Sequence, residues 1–225
     1  MIVRMIIQTT VWLLFLALLL CLGAGTWAWP QAWAFIAEIA VFSYGIGFWL
    51  ARRDPALLAS RLSFRPHPDQ KPWDRIFVLA AFSCFLAWFL FMGADARRFA
   101  WSHLPSPLPY VGAILIAICM AITIAIFAAN SFAAPQIRIQ ADRAQHVITT
   151  GPYRVVRHPM YASALLFLLG APLLLGSAWG TLMLPIGALA FGWRVGGEER
   201  TLRAAFPEYT SYAARVKYRL LPGLW

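Results

Sequence analysis

The feature that most constrains this chain is a series of long apolar segments joined by polar or basic connections. A helix rises about 1.5 Å per residue, so about 20 apolar residues cross a hydrocarbon core of about 30 Å. The pattern therefore predicts an all-α, multi-pass transmembrane helix bundle of about six spans, possibly five. The predicted spans are 5–23, 30–50, 74–93, 108–130, 159–175 and 178–197.

Composition excludes most classes of soluble protein. Apolar residues make up 61% of the 225 residues and charged residues only 12%, whereas soluble domains average roughly 45–50% and about 25%. The three cysteines lie inside apolar runs without metal-ligand spacing, which argues against a disulfide framework and against a metal site. No internal repeat or second domain is visible, so residues 1–225 are predicted to form a single integral membrane domain.

The basic residues predict an orientation in the membrane. An even number of spans places both termini on one side, and that side then holds all of the 19 Lys and Arg residues except Arg97 and Arg98. By the positive-inside tendency this side is cytoplasmic, which accounts for the net charge of +10 without nucleic acid. The polar stretches 51–73, 131–158 and 198–225 are therefore predicted to be cytoplasmic and to hold any chemistry that uses a soluble cofactor.

The densest candidate for a functional segment is V-I-T-T-G-P-Y-R-V-V-R-H-P-M-Y at 147–161. Pro159 suits the first turn of a helix, where its missing N–H is not needed. The free N–H groups of a helix start favour an anionic ligand group. His158 and Tyr161 are three residues apart and share a face of that turn. The alternative is an interfacial anchor, because Arg and Tyr are common at membrane boundaries.

A second candidate is the sequence R-V-G-G-E-E-R, which begins at Arg194. Arg194 and Glu198 are four residues apart, so they share one helix face and could hold a zwitterionic ligand. Glu199 points about 100° away and stands four residues before Arg203. We therefore expect Glu199 to form an exposed salt bridge and to matter little for the site.

In these segments the chain resembles the isoprenylcysteine carboxyl methyltransferase family, within the wider group that includes phospholipid N-methyltransferases. The resemblance covers roughly residues 130–225, whereas the first 130 residues match only as hydrophobic helices with a basic loop. It rests on V-I-T-T-G-P-Y at 147–153, R-H-P-M-Y at 157–161, R-x-x-x-E-E at 194–199, and Phe206, Tyr209 and Tyr212 followed by Pro222.

The resemblance implies an integral membrane enzyme that uses S-adenosylmethionine and no metal. Residues 1–130 would be N-terminal transmembrane helices, and residues 131–225 would form the methyltransferase core with a cytoplasm-facing cofactor pocket. Arg194 would bind the methyl acceptor, and Arg194 and Glu198 would be the catalytic pair. Carried over by position, the cofactor contacts would be Gln145, His146, Val147, Ile148, Tyr153, His158, Pro159, Met160, Tyr161 and Glu198.

The expected partners are membrane lipids and a lipidic or prenylated acceptor that enters from the bilayer, and not nucleic acid. The favoured reaction is methylation of a carboxylate on an isoprenylcysteine-like acceptor, because a carboxylate needs no base and Arg194 could position it. A phospholipid or lipid-amine N-methyltransferase is the alternative, with Glu198 or a water accepting the proton. A third reading is a sterol-reductase-like NADPH enzyme, since R-H-P-x-Y and the ending Y-R-L-L-P-G-L-W resemble that class.

Overall fold

All regular secondary structure in the described part of the chain is helical, which confirms the predicted all-α class. The computed structural model describes residues 1–63, 70–134, 136–137, 139–140 and 143–225. A π-helical turn, Ala94–Arg98, continues α4, and 3₁₀ turns lie at Gly151–Arg154 and Trp179–Leu182. The helices are α1 Ile2–Ala24, α2 Pro30–Arg53, α3 Pro55–Arg61, α4 Pro72–Gly93, α5 Leu108–Ala129, α6 Pro159–Leu175, α7 Met183–Ala205 and α8 Glu208–Arg215.

Among the described residues, four helices are long and apolar enough to cross a membrane, and they correspond to the first four predicted spans. The helix α6 is apolar but has only 17 residues. The helix α7 is uncharged only as far as Trp193, because charged side chains recur from Arg194 onward. A count of six or five spans, the cytoplasmic placement of the termini and the single-domain organisation stay predictions.

The helix ends follow local sequence signals. Pro159 occupies the first turn of α6, as its lack of an N–H favours. Gly25 after α1 and Gly176 after α6 have φ angles of 68° and 83°, a left-handed conformation that glycine adopts without a Cβ clash. These signals determine where the chain reverses between neighbouring helices.

The two helices α5 and α6 pack closely against each other at Gly112 and Gly170. A Cβ built on Gly112 would lie 2.6 Å from the carbonyl oxygen of Gly170, so the backbones can meet only where side chains are absent. Around this contact Phe35, Ile116 and Ala171 are fully buried in the main apolar core. Gly112 lies near the start of α5 and Gly170 near the end of α6, so this contact packs the helix ends that are opposite to the candidate site.

A buried carboxylate joins the helices at the far end of α4. The Oδ2 atom of Asp95 accepts hydrogen bonds from Ser102 at 2.7 Å and from Ser177 at 2.6 Å. Asp95 and Ser177 are both fully buried. These bonds tie the π-helical turn to the connection between α6 and α7, remote from the candidate site.

Candidate cofactor and acceptor site

One cavity lies where α5 and α7 end and α6 begins. Its wall is made by the connection after α5, the turn at Gly151–Arg154, the first turn of α6, the second half of α7 and α8. The structure brings every residue that the sequence analysis assigned to the site into this wall, and their roles as ligands stay predictions. They are Gln145, His146, Val147, Ile148, Tyr153, His158, Pro159, Met160, Tyr161, Arg194 and Glu198.

The backbone just before α6 is held in place by the C-terminal segment. The N–H of Arg157 donates to the carbonyl of Tyr218 at 3.0 Å, and the N–H of His158 donates to the carbonyl of Arg219 at 2.9 Å. Both amides precede Pro159, so two backbone donors at the entry to the helix are already satisfied. The side chain of His158, which is 4% exposed, is thereby directed toward α7.

Glu198 is the more exposed of the two adjacent glutamates on α7. Its side chain is 27% exposed, and its Oε2 atom accepts a hydrogen bond from the Tyr161 hydroxyl at 2.7 Å. The Nδ1 atom of His158 lies 3.8 Å from the same oxygen. Glu198 therefore brings a carboxylate to the cavity wall, and Tyr161 fixes its orientation.

Glu199 corrects the sequence analysis, which expected an exposed residue. Its side chain is only 4% exposed and accepts from the Arg157 Nε atom at 2.7 Å. The His158 Nε2 atom lies 3.4 Å away, as does Arg219 Nη2, and the predicted partner Arg203 is present at 3.5 Å. Burial alone would raise the pKa of Glu199, but hydrogen bonds from His158 and Arg157 and their charges hold it well below its ordinary value.

The physical reason for this error is that residues 216–220 cover the Glu199 face of α7. Helical spacing shows that Glu198 and Glu199 point in different directions, but it does not show which direction another segment will cover. The face that carries Glu199 is buried by a segment that follows α8 in the chain.

Arg194 pairs with a residue that the sequence analysis did not consider. Its Nε and Nη2 atoms donate to Oδ1 of Asp74 at 2.9 and 2.7 Å, and Asp74 is fully buried in the first turn of α4. The guanidinium also lies over the rings of Phe77 and Tyr161, at 5.0 and 5.7 Å from their centroids. Arg194 thus lines the cavity, but its carboxylate partner comes from the N-terminal helices and not from Glu198.

Asp74 also anchors the connection that lines the cavity. Its Oδ2 atom accepts from the backbone N–H of Ile137 at 3.0 Å and from Gln70 Nε2 at 2.8 Å. The ring of the preceding Trp73 fills the space that a Cβ on Gly197 would occupy, 2.5 Å away. An acidic residue at a predicted membrane boundary was the signal in the sequence that could have indicated Asp74.

A second missed residue is Asn130, which follows the last turn of α5. Its Nδ2 atom donates to the Tyr153 hydroxyl at 2.7 Å, and its Oδ1 atom accepts the N–H of Phe132 at 2.8 Å. The Tyr212 hydroxyl donates to the backbone carbonyl of Tyr153 at 2.8 Å. Burial raises the pKa of Tyr153 to about 12. A polar amide directly after a long apolar span was the signal available in the sequence.

Most of the cavity wall lies in a region that matches a known protein family. Residues 108–209 match the phospholipid methyltransferase family. This range contains all the predicted site residues and the helices α5, α6 and α7, whereas Asp74 lies outside it. The match confirms the resemblance to the wider group of membrane methyltransferases.

One curated relative matches a shorter stretch. Over 71 residues the chain is 39% identical to the cobalt-zinc-cadmium resistance protein CzcN of Cupriavidus metallidurans. The aligned stretch makes up 31% of this chain and 33% of that protein. The chain thus aligns with about a third of the length of that relative. Fold and family match together indicate the class. The regular structure of the described residues is all-helical, four of these helices are long and apolar enough to cross a membrane, and residues 108–209 match the phospholipid methyltransferase family.

Proposed function

We propose that this protein is an integral membrane methyltransferase that uses S-adenosylmethionine to methylate a lipidic acceptor. The observation that carries the proposal is the meeting of the 145–161 segment and the Arg194–Glu198 face of α7 in one cavity. That cavity lies next to helices long and apolar enough to span a membrane. A soluble cofactor and a membrane-borne acceptor could therefore meet there.

The residues in the wall fit the chemical character of this cofactor. Ile137, Ile148 and Met160 supply apolar surface, while Tyr153 and Glu198 supply polar groups. Ligand sites commonly combine a mostly apolar wall with a few placed polar groups. The Glu198 carboxylate would hold the cofactor's ammonium group, which is a charge-assisted contact. When bound, the cofactor supplies an electrophilic methyl group on a sulfonium.

The protein's contribution to such a transfer is positioning. Methyl transfer is an in-line displacement, so alignment of donor and acceptor supplies much of the acceleration. The start of α6 is hydrogen-bonded to the C-terminal segment, and Glu198 is oriented by Tyr161, so these groups are already held in place by other parts of the protein. Arg194, anchored on Asp74, would orient the acceptor from the other side.

The finer proposal is that the acceptor presents a carboxylate, as on an isoprenylcysteine-like lipid. A carboxylate is already nucleophilic without a base, and an Arg guanidinium is suited to orient it. A lipid amine is the second candidate, and the ion pair between Arg194 and Asp74 favours it. Because Asp74 offsets the positive charge of Arg194, the field that would attract an anionic acceptor is weaker.

Replacement of the cavity glutamate tests the cofactor. We expect Glu198→Gln to weaken the binding of S-adenosylhomocysteine about 10- to 100-fold, since a charge-assisted hydrogen bond is lost. The measurement is calorimetry on the purified protein, with NADPH titrated in parallel. Glu208→Gln is the matched control because Glu208 is exposed on α8, away from the cavity. Unchanged affinity in Glu198→Gln, or binding of NADPH alone, would contradict the proposal.

Replacement of the cavity arginine tests the acceptor. We expect Arg194→Lys to keep the affinity for S-adenosylhomocysteine but to slow methyl transfer to a farnesylcysteine analogue about 10-fold or more, because ammonium cannot reproduce the guanidinium geometry. Labelled methyl transfer is measured with that analogue, a fatty acid and phosphatidylethanolamine. Arg200→Lys, at an exposed position on the same helix, is the control. Preferential labelling of phosphatidylethanolamine, unaffected by Arg194→Lys, would overturn the carboxylate assignment in favour of the amine.

A further inference from the structure

The side-chain amide of Asn130 has a defined orientation. The backbone N–H of Phe132 donates to one of its two terminal atoms at 2.8 Å, and an N–H can donate only to the oxygen. The other terminal atom is therefore the nitrogen, which lies 2.7 Å from the Tyr153 hydroxyl. It follows that Asn130 donates and the hydroxyl oxygen of Tyr153 accepts.

This direction decides where the Tyr153 proton goes. A phenol has one proton, and that proton cannot point at the Asn130 nitrogen, which is itself a donor. Within the described ranges, no side chain or carbonyl accepts a hydrogen bond from the Tyr153 hydroxyl. The Tyr153 ring packs on the apolar cluster that contains Ile126 and Phe127, and the same residue lines the cavity. The remaining direction for the O–H is toward the cavity.

We propose that Asn130 is a positioning residue that sets the polarity of the Tyr153 hydroxyl, so that the cavity offers an O–H donor to an acceptor atom of the ligand. The ligand atom would be an oxygen or an aromatic ring nitrogen. The cofactor carries such atoms, and so does a carboxylate-bearing acceptor. The assignment of these ligands rests on the proposed function. A tyrosine hydroxyl is protonated at neutral pH, and burial, which raises the pKa of Tyr153 to about 12, acts in the same direction.

The test uses a nearly isosteric change that reverses the hydrogen bond. In Asn130→Asp, one carboxylate oxygen still accepts the Phe132 N–H, while the other accepts the proton of Tyr153 and withdraws it from the cavity. If the ligand atom is on the cofactor, we expect S-adenosylhomocysteine to bind about 10-fold more weakly. If it is on the acceptor, that affinity is unchanged and the KM for the acceptor rises about 10-fold. Tyr153→Phe should produce the same loss as Asn130→Asp.

The double variant separates this role from a general effect of charge or structure. Because both substitutions remove the same donor, Asn130→Asp with Tyr153→Phe should lose no more than either alone. Additive losses would mean that the new charge acts directly on the ligand, and they would overturn the proposal. Asn130→Ala is the matched control, with a smaller loss of about threefold or less, since the proton stays available to the cavity.

Two further outcomes distinguish the proposals. If the wild-type protein binds S-adenosylhomocysteine and transfers methyl groups, but Asn130→Asp changes neither affinity nor KM, the role of Asn130 is refuted while the proposed function stands. If the wild-type protein does not bind S-adenosylhomocysteine, the proposed function fails, and this role fails with it. Thermal unfolding of Asn130→Asp should match that of the wild type, and a large decrease in Tm would indicate a structural role instead.

Discussion

Glu199→Gln is expected to destabilise the protein by about 3–5 kcal/mol, the range found when one partner of a buried ion pair is removed. Glu199 is the carboxylate partner of Arg157, whose side chain is 7% exposed. The same guanidinium donates to the carbonyls of Val216 and Lys217 at 2.7 and 2.9 Å. Without the Glu199 charge, the Arg157 guanidinium would be buried without that counter-charge. The contacts by which it joins the start of α6 to α7 and to the segment after α8 would then be weaker.

The measurement is thermal unfolding of the purified protein, compared with Glu198→Gln and Glu208→Gln. Glu208 is exposed, and Glu198 is partly exposed, so both controls should unfold within a few degrees of the wild type. The two adjacent glutamates would then have different roles, Glu198 in ligand binding and Glu199 in the stability of the folded state. A Glu199→Gln variant as stable as Glu208→Gln would show that the buried network contributes little.

The same network predicts a dependence of stability on pH. Hydrogen bonds from His158 and Arg157 hold the pKa of Glu199 well below its ordinary value, despite burial. A carboxyl with a depressed pKa in the folded state stabilises the fold above its unfolded pKa, about 4.3 for glutamate. That contribution is lost as the pH falls from this value toward the lower pKa of the folded state. We therefore expect the free energy of unfolding of the wild type to fall as the pH drops below about 4, and that of Glu199→Gln to fall less steeply over the same range.

Asp74→Asn is expected to have the second large effect, because it leaves the Arg194 guanidinium beside a neutral partner. The side chains of Arg194 and Asp74 are 10% and 0% exposed, so solvent can compensate only partly. We expect a loss of about 3–5 kcal/mol in the free energy of unfolding and a marked fall in methyl transfer. Asp95→Asn is the matched control, since Asp95 is equally buried but lies at the other end of the α4 segment.

A double variant makes this prediction specific to the pair. Asp74→Asn combined with Arg194→Gln removes both charges, and replacement of a whole buried pair costs less than removal of one partner. The double variant should therefore unfold closer to the wild type than Asp74→Asn does, while methyl transfer stays low. Asp95→Asn should lower the unfolding temperature, but the protein that stays folded should keep the wild-type KM for the acceptor. A Tm of Asp74→Asn equal to that of the wild type would contradict the role assigned to the pair.

Local sequence patterns predicted much of the fold, and the family resemblance pointed to residues that line the cavity. The apolar runs gave four helices long enough to span a membrane, and Pro159 marked the start of α6. Residues 145–148, which the family resemblance assigned, line the cavity together with residues 158–161, Arg194 and Glu198. The helices, their ends and the shared face of Arg194 and Glu198 depend on helical periodicity and on proline and glycine stereochemistry, which act over a few residues.

The sequence by itself therefore determined the helical class, the long apolar helices and the segments that line the cavity. Only the tertiary structure decided what those segments meet. Asp74 pairs with Arg194 across 120 positions of the chain, and Glu199 is buried by residues that follow α8. The physical reason is that periodicity shows which side chains share a face, whereas the partner of that face depends on how distant helices pack, as where Gly112 meets Gly170. The buried ion pairs around the cavity arise from that packing.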